Sequence, residues 1–102
     1  MSAALTKVRQ IIAENPVAVF SKSYCPYCKA TKATLSGMNA KIFLVELDQV
    51  EDGSELQDVL AQETGQRTVP NVFIDHKHVG GNSDVQAMKS KLPGMLKDAG
   101  AL

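Results

Sequence analysis

The stretch SKSYCPYCKATK, residues 21–32, places two cysteines three positions apart, Cys25 and Cys28, and the chain of 102 residues has no others. Proline is favoured at the first position inside a helix, where its missing N–H would be unpaired anyway. Pro26 therefore predicts a helix running from Pro26 to about Leu35, with Cys25 as its N-cap. An N-cap side chain accepts a bond from the backbone N–H two or three residues on. Here those belong to Tyr27 and Cys28, and the acceptor would be a sulfur, so the site favours a thiolate. A helix terminus contributes only ~0.3–1 kcal/mol, up to ~2 in good geometry. Stronger stabilisation needs the direct N–H contacts and a cation, for which Lys22 is the candidate. A stable thiolate is also a good leaving group, which suits a sulfur that takes on an adduct and gives it up again.

Cys28 lies one turn along on the same side of the helix, within disulfide reach. Closing so short a loop removes only about 2 kcal/mol of chain entropy. That is a poor staple but a reasonable reversible switch. The competing readings are two ordinary buried thiols, or a metal pair. Zinc wants four ligands, and the histidines left to supply them, His76 and His78, are far along the chain and one residue apart. They read instead as exposed hairpin residues, so no metal site and no bound cofactor is expected.

The elements that must position the thiols follow from the apolar pattern. Leu5, Val8, Ile11 and Ile12 recur at helical spacing up to Asn15-Pro16. VAVFS, residues 17–21, reads as a buried strand, and KIFLVEL, residues 41–47, as a second one. Asp52 and Glu55 resemble a capping box for a helix carrying Leu56, Val59 and Leu60 and stopped at Gly65. NVFI, residues 71–74, is a third strand, turning into a fourth around His78-Val79. Ser83 and Gln86 form another capping-box pattern, opening a helix with Val85, Met88 and Leu92 inward; Met95 and Leu96 fall in a last short helix. Strands joined through a helix are expected to be parallel, and the tight 75–77 turn to make an antiparallel hairpin. The expectation is an α/β fold, a mixed sheet of about four strands covered by helices, with residues 1–102 as one domain.

Composition narrows the function. Eleven Lys and Arg balance eleven Asp and Glu, which lacks the basic footprint of a nucleic-acid binder. No stretch approaches the ~20 apolar residues of a membrane span, and MSAALTKVRQIIAEN lacks the apolar core of a secretory signal. A soluble cytoplasmic protein is expected, where a C-x-x-C pair is more often catalytic, redox-sensing or metal-binding than structural. No exposed hydrophobic stripe demands a partner, so the chain reads as a monomer.

A strand followed by C-P-Y-C opening a helix, then T-V-P, then G-G-N-S-D, resembles the glutaredoxin family in order and spacing, over essentially the whole chain. Cys25-Pro26-Tyr27-Cys28 is similar to the dithiol class, unlike the single-cysteine C-G-F-S class; a thioredoxin would show C-G-P-C. The resemblance implies a thioredoxin-like fold and glutathione-dependent thiol–disulfide exchange. Cys25 would attack protein–glutathione mixed disulfides, and Cys28 would resolve protein or small-molecule disulfides. Glutathione would be the co-substrate, glutathionylated or disulfide-containing proteins the other substrates, and a glutathione reductase system would act downstream.

The resemblance also implies a cis peptide bond before Pro70, in Thr68-Val69-Pro70, which turns the Val69 N–H and C=O outward to pair with a peptide-like ligand. Gly81, Asn82, Ser83 and Asp84 would meet the γ-glutamyl end of glutathione, with Ser83 and the helix start suiting its carboxylate and Asp84 its amine. The glycine carboxylate would fall to Lys22, three residues before the nucleophile, and to Gln57 on the third helix. Arg67 adds charge there, and the Tyr27 ring either packs beside the ligand or covers the sulfur. Two rivals stay open. One is a dimer sharing an iron–sulfur centre through Cys25 and glutathione, against which the rigid Pro26 ring argues. The other is a thioredoxin-like reductant recycled by a flavoenzyme without glutathione.

Overall fold

The computed structural model describes residues 2–102. Helix α1 (Ala3–Glu14) starts where Ser2 Oγ accepts the Leu5 N–H at 3.1 Å. It stops at Asn15, whose side-chain amide donates to the Ile11 carbonyl ahead of Pro16. Strand β1 (Val17–Ser21) leads through a short loop into α2 (Pro26–Gly37), then β2 (Phe43–Glu46), α3 (Gly53–Thr64), β3 (Asn71–Ile74), β4 (Lys77–Gly80), α4 (Asn82–Ala87) and α5 (Leu92–Asp98). The sheet order is β2-β1-β3-β4, with β1 and β2 parallel and the other two pairs antiparallel. This is an α/β thioredoxin-like fold with a mixed four-stranded sheet flanked by helices, as expected.

Every residue of β1 is buried, because both faces of this central strand are covered. Ala18 and Phe20 point into a core with Val8, Leu56, Leu60 and Phe73, beneath α1 and α3. Val17 and Val19 point the other way, into a core with Leu35, Val85, Leu92 and Leu96, beneath α2, α4 and α5. The period-2 alternation of a strand thus feeds two cores at once. Phe20 and Phe73 meet edge to face at a centroid distance of 5.9 Å.

Four local expectations are corrected. The rule that a helix joins parallel strands holds for β1-α2-β2 but not for β2-α3-β3. Ser21 pairs with Glu46 and Phe20 with Asn71, so β2 ends and β3 begins at the same end of the sheet. The connection through α3 leaves and re-enters at that end, which makes β3 antiparallel. The second strand is not buried throughout: β2 is an edge strand, and Phe43 and Leu44 are exposed at 44% and 41%. Asp52 caps α3 with no side-chain bond, because its carboxylate is turned to Lys7 Nζ at 2.8 Å. The last helical stretch is cut differently: α4 ends at Ala87, and Leu92 opens α5.

Candidate active site

Cys25 is the N-cap of α2, with extended backbone at φ −85° and ψ 120°, and Pro26 stands first in the helix. The Cys28 N–H donates to Cys25 Sγ at 3.3 Å. Burial pushes the Cys25 thiol up. That is outweighed by the Cys28 thiol, the backbone N–H groups of Cys28 and Tyr27, and the positive charge of Lys32, so its pKa lies below that of an ordinary cysteine. Cys28 is fully buried, and burial pushes its thiol above the ordinary value despite bonds from Ser21 and the Lys22 N–H. The Lys22 N–H lies 3.5 Å from Cys28 Sγ, and the Lys22 carbonyl accepts the Cys25 N–H at 3.1 Å. Both thiols are free. The site therefore pairs one half-buried, more readily ionised sulfur with one fully buried sulfur that holds its proton.

The cation expected near Cys25 was Lys22; the one whose charge lowers its pKa is Lys32, one turn beyond Cys28. Lys32 is itself paired with Glu46 of β2 at 3.0 Å. The charge of Lys22 instead contributes to lowering Asp48, whose carboxylate is held down chiefly by the Ser23 hydroxyl and then by the Ser23 N–H. That N–H donates to Asp48 Oδ1 at 2.9 Å, which ties the loop before Cys25 to the loop after β2.

A cavity of about 550 Å³ opens beside Cys25, a size that suits a small ligand. Tyr27 comes to it from α2; Thr68, Val69 and Pro70 form one wall; Gly81, Asn82, Ser83 and Asp84 form the other. The Val69–Pro70 bond is cis. The Cys25 thiol reaches toward the Val69 carbonyl at 3.9 Å. Eight of the residues singled out from the sequence thus share one concave surface.

Of the residues expected to meet glutathione, three lie outside the cavity lining, and two of these brace its wall. Gln57 Nε2 donates to the Arg67 carbonyl at 2.9 Å, and the Arg67 guanidinium pairs with Asp58 at 2.9 Å. Lys22, the third, sits at the mouth of the Cys25 loop. Asn82 lines the cavity, but its Oδ1 accepts from Thr31 at 2.9 Å and from Gln86 at 3.2 Å, bridging α2 and α4. The α4 cap is also not the expected one. Gly81 is the N-cap, its N–H bonds to Asp84 Oδ2 at 2.9 Å, and Gln86 serves Thr34 and Asn82 instead of reaching back to Ser83. His76 Nδ1 meets the Ile12 carbonyl at 2.8 Å, and His78 Nε2 meets Asn71 Oδ1 at 2.9 Å. Each imidazole has a structural partner at a distance from the cysteines in the chain.

One lining residue escaped the sequence reading. Gln66 Nε2 donates to the carbonyls of Thr68 at 3.1 Å and Pro70 at 3.0 Å, across the cis bond. The available signal was its place between Gly65, left-handed at φ +78°, and the Thr-Val-Pro turn.

A family model described as Glutaredoxin matches residues 17–79. A glutaredoxin of Solanum lycopersicum is 52% identical over 97% of this chain and 94% of its own length. Glutaredoxin-C4, chloroplastic, of Oryza sativa subsp. japonica is also 52% identical, over 97% of this chain and 76% of its own. A buckwheat glutaredoxin crystallised as a glutathione complex superposes with a TM-score of 0.93 at 44% identity, covering 97% of this chain and 92% of that one. With a C-x-x-C pair at the head of α2, a family model matched over more than half of the chain and likeness at this level to known members, the chain belongs to the glutaredoxin family of glutathione-dependent thiol–disulfide oxidoreductases.

Proposed function

We propose that this chain, acting as a monomeric single domain, reduces protein–glutathione mixed disulfides through Cys25, and protein or small-molecule disulfides through Cys25 and Cys28 together. The observation that carries this is the Cys25 sulfur at the N-cap of α2, 3.3 Å from the Cys28 N–H and beside a cavity of about 550 Å³. The Cys25 thiolate attacks the glutathione sulfur of a mixed disulfide. A Cys25–glutathione disulfide forms, the original S–S bond breaks, and the protein leaves as a thiolate that takes up a proton. A second glutathione thiolate then attacks the glutathione sulfur of the adduct. Oxidised glutathione leaves, Cys25 returns as thiolate, and a glutathione reductase consumes the product.

On a protein disulfide, Cys25 forms the mixed disulfide first. Cys28 loses its proton and attacks the Cys25 sulfur, closing the Cys25–Cys28 bond and releasing the reduced protein. The raised pKa of Cys28 supports this division, since a protonated resolving thiol does not compete with Cys25 for the first attack.

Glutathione would lie with its cysteinyl backbone against the Val69 N–H and C=O. Ionising Cys25 removes the thiol proton that points at the Val69 carbonyl, leaving that oxygen for the ligand. Tyr27, Thr68 and Pro70 flank this segment, while Gly81 and Asn82 shape the opposite wall. Ser83, exposed, would meet the γ-glutamyl carboxylate, and the exposed Asp84 carboxylate its ammonium. Lys22 would hold the glycyl carboxylate, with Gln57 and Arg67 at that end of the site. A thiol-reducing compartment such as the cytoplasm suits a pair of free, catalytic cysteines.

The test is turnover of a glutathione mixed disulfide with glutathione and its reductase, in the wild type and both cysteine variants. Cys25→Ser should abolish turnover. Cys28→Ser should retain most deglutathionylation and lose the reduction of protein disulfides. If the Cys28 variant were the dead one, the roles would be reversed.

A further inference from the structure

The Gln66 side chain is held at two points in the cavity wall. Its single amide nitrogen donates to two carbonyls, Thr68 O at 3.1 Å and Pro70 O at 3.0 Å. Both neighbours are acceptors with no hydrogen to give, so the group facing them must be the amide NH₂, which has two hydrogens to offer. The residue clamped between those carbonyls is Val69, whose own carbonyl lies 3.9 Å from Cys25 Sγ. The clamp is itself anchored. The Gln66 N–H donates to Thr64 Oγ1 at 3.0 Å, and Thr64 Oγ1 is fixed on the Leu60 carbonyl at 2.7 Å, in the last turn of α3. Gln66 Nε2 and the Pro70 carbonyl also lie beneath Gly81, where an added Cβ would stand 3.7 and 3.6 Å from them. The amide therefore sits where the two walls of the cavity meet.

A backbone segment that pairs with a ligand must present its N–H and C=O in a fixed direction, and every degree of freedom left in it weakens binding. Residues 67 and 68 are exposed, and no regular hydrogen-bond ladder holds the segment before β3 begins at Asn71. We propose that Gln66 is a positioning residue of the glutathione site, its amide bridging the Thr68 and Pro70 carbonyls so that Val69 is aimed at the ligand. The inference rests on the reading of this cavity as the glutathione site. It predicts an effect on recognition and none on the chemistry of the sulfur, because no bond of Gln66 reaches Cys25.

The experiment compares the full-length wild type with Gln66→Ala and Gln66→Glu. Gln66→Glu keeps the shape but replaces the donor with an acceptor when ionised. Three quantities are read: kcat and KM for a glutathionylated peptide, the rate on a peptide disulfide lacking glutathione, and the pH midpoint of Cys25 alkylation. Loss of the bridge should raise KM for the glutathionylated peptide about fivefold to tenfold, with Gln66→Glu at least as impaired as Gln66→Ala. The kcat, the alkylation midpoint and the rate on the other disulfide should stay within about twofold. An unmoved KM in both variants overturns the inference while leaving the glutathione reading intact. Equal loss on both substrates overturns it too, because it marks a general structural role. Should one variant fail to fold, judged by circular dichroism, the KM of the other decides. A wild type that does not turn over the glutathionylated peptide overturns both the inference and the reading beneath it.

Discussion

Lys32 and Glu46 form an ion pair at 3.0 Å that joins α2 to the edge strand β2, with side chains 24% and 16% exposed. The second oxygen of that carboxylate, Oε1, is buried with no hydrogen-bond partner among the described residues. This pair holds in place the ammonium whose charge favours the Cys25 thiolate. Lys32→Met should therefore raise the pH midpoint of Cys25 alkylation. Lys22→Met should leave that midpoint nearly unchanged and raise KM for the glutathionylated substrate. Iodoacetamide rates across pH, with mass spectrometry to assign the modified residue, separate the two variants. A larger shift from Lys22→Met would return the role to Lys22.

The two cysteines are displaced in opposite directions, Cys25 below the ordinary thiol and Cys28 above it. Alkylation of the reduced protein should proceed in two waves as pH rises. Near neutrality the label should fall on Cys25 alone, and Cys28 should react only in alkaline solution or after unfolding. Peptide mapping at two pH values checks this; comparable labelling of both sulfurs near pH 7 is the contrary result.

Asp48 accepts both the N–H and the hydroxyl of Ser23, and its carboxyl ionises below the usual range. A carboxyl with a depressed folded pKa adds stability that is present above its unfolded pKa and lost as pH falls through the folded value. The gap in urea midpoint between wild type and Asp48→Ala should be widest near neutrality and close below about pH 4. A gap that persists unchanged into acid would show that the carboxylate charge is irrelevant.

Two glycines pack with no room to spare. A Cβ on Gly53 would run into the Leu47 carbonyl, and one on Gly80, at φ +126°, into the Asp84 carboxylate. Gly53→Ala should cost about 2–3 kcal/mol of stability, since the clash is with backbone. Gly94, in α5 with open space around it, is the control: Gly94→Ala should stabilise by about 0.8 kcal/mol. Gly80→Ala should raise KM for glutathionylated substrate by displacing Asp84. Thermal melts and steady-state kinetics on the three variants distinguish these outcomes.

Much of the site was legible because it is local. Cys25, Pro26 and Cys28 sit within one helical turn, so cap, dipole and thiol spacing follow from the order of residues alone. The three strand-forming apolar runs and the hairpin were legible for the same reason, since strand alternation and turn length are properties of short windows. The Thr-Val-Pro and Gly-Gly-Asn-Ser-Asp segments were marked by resemblance, and the structure brings both to one cavity.

What was missed depends on which elements become neighbours. An apolar run such as residues 41–47 reads the same whether it forms a central or an edge strand; the order β2-β1-β3-β4 left Phe43 and Leu44 facing solvent. Ser83-x-x-Gln86 is a sound capping pattern, yet Gln86 gains Thr34 and Asn82 once α4 packs against α2. Gln66 belongs to no motif, and its role exists only after the chain folds its amide back across the turn. The sequence by itself determined where a reactive sulfur would sit, because helix capping acts over three residues. Only the tertiary structure decided which lysine charges it and which amide frames its ligand, because long side chains choose partners by distance in space.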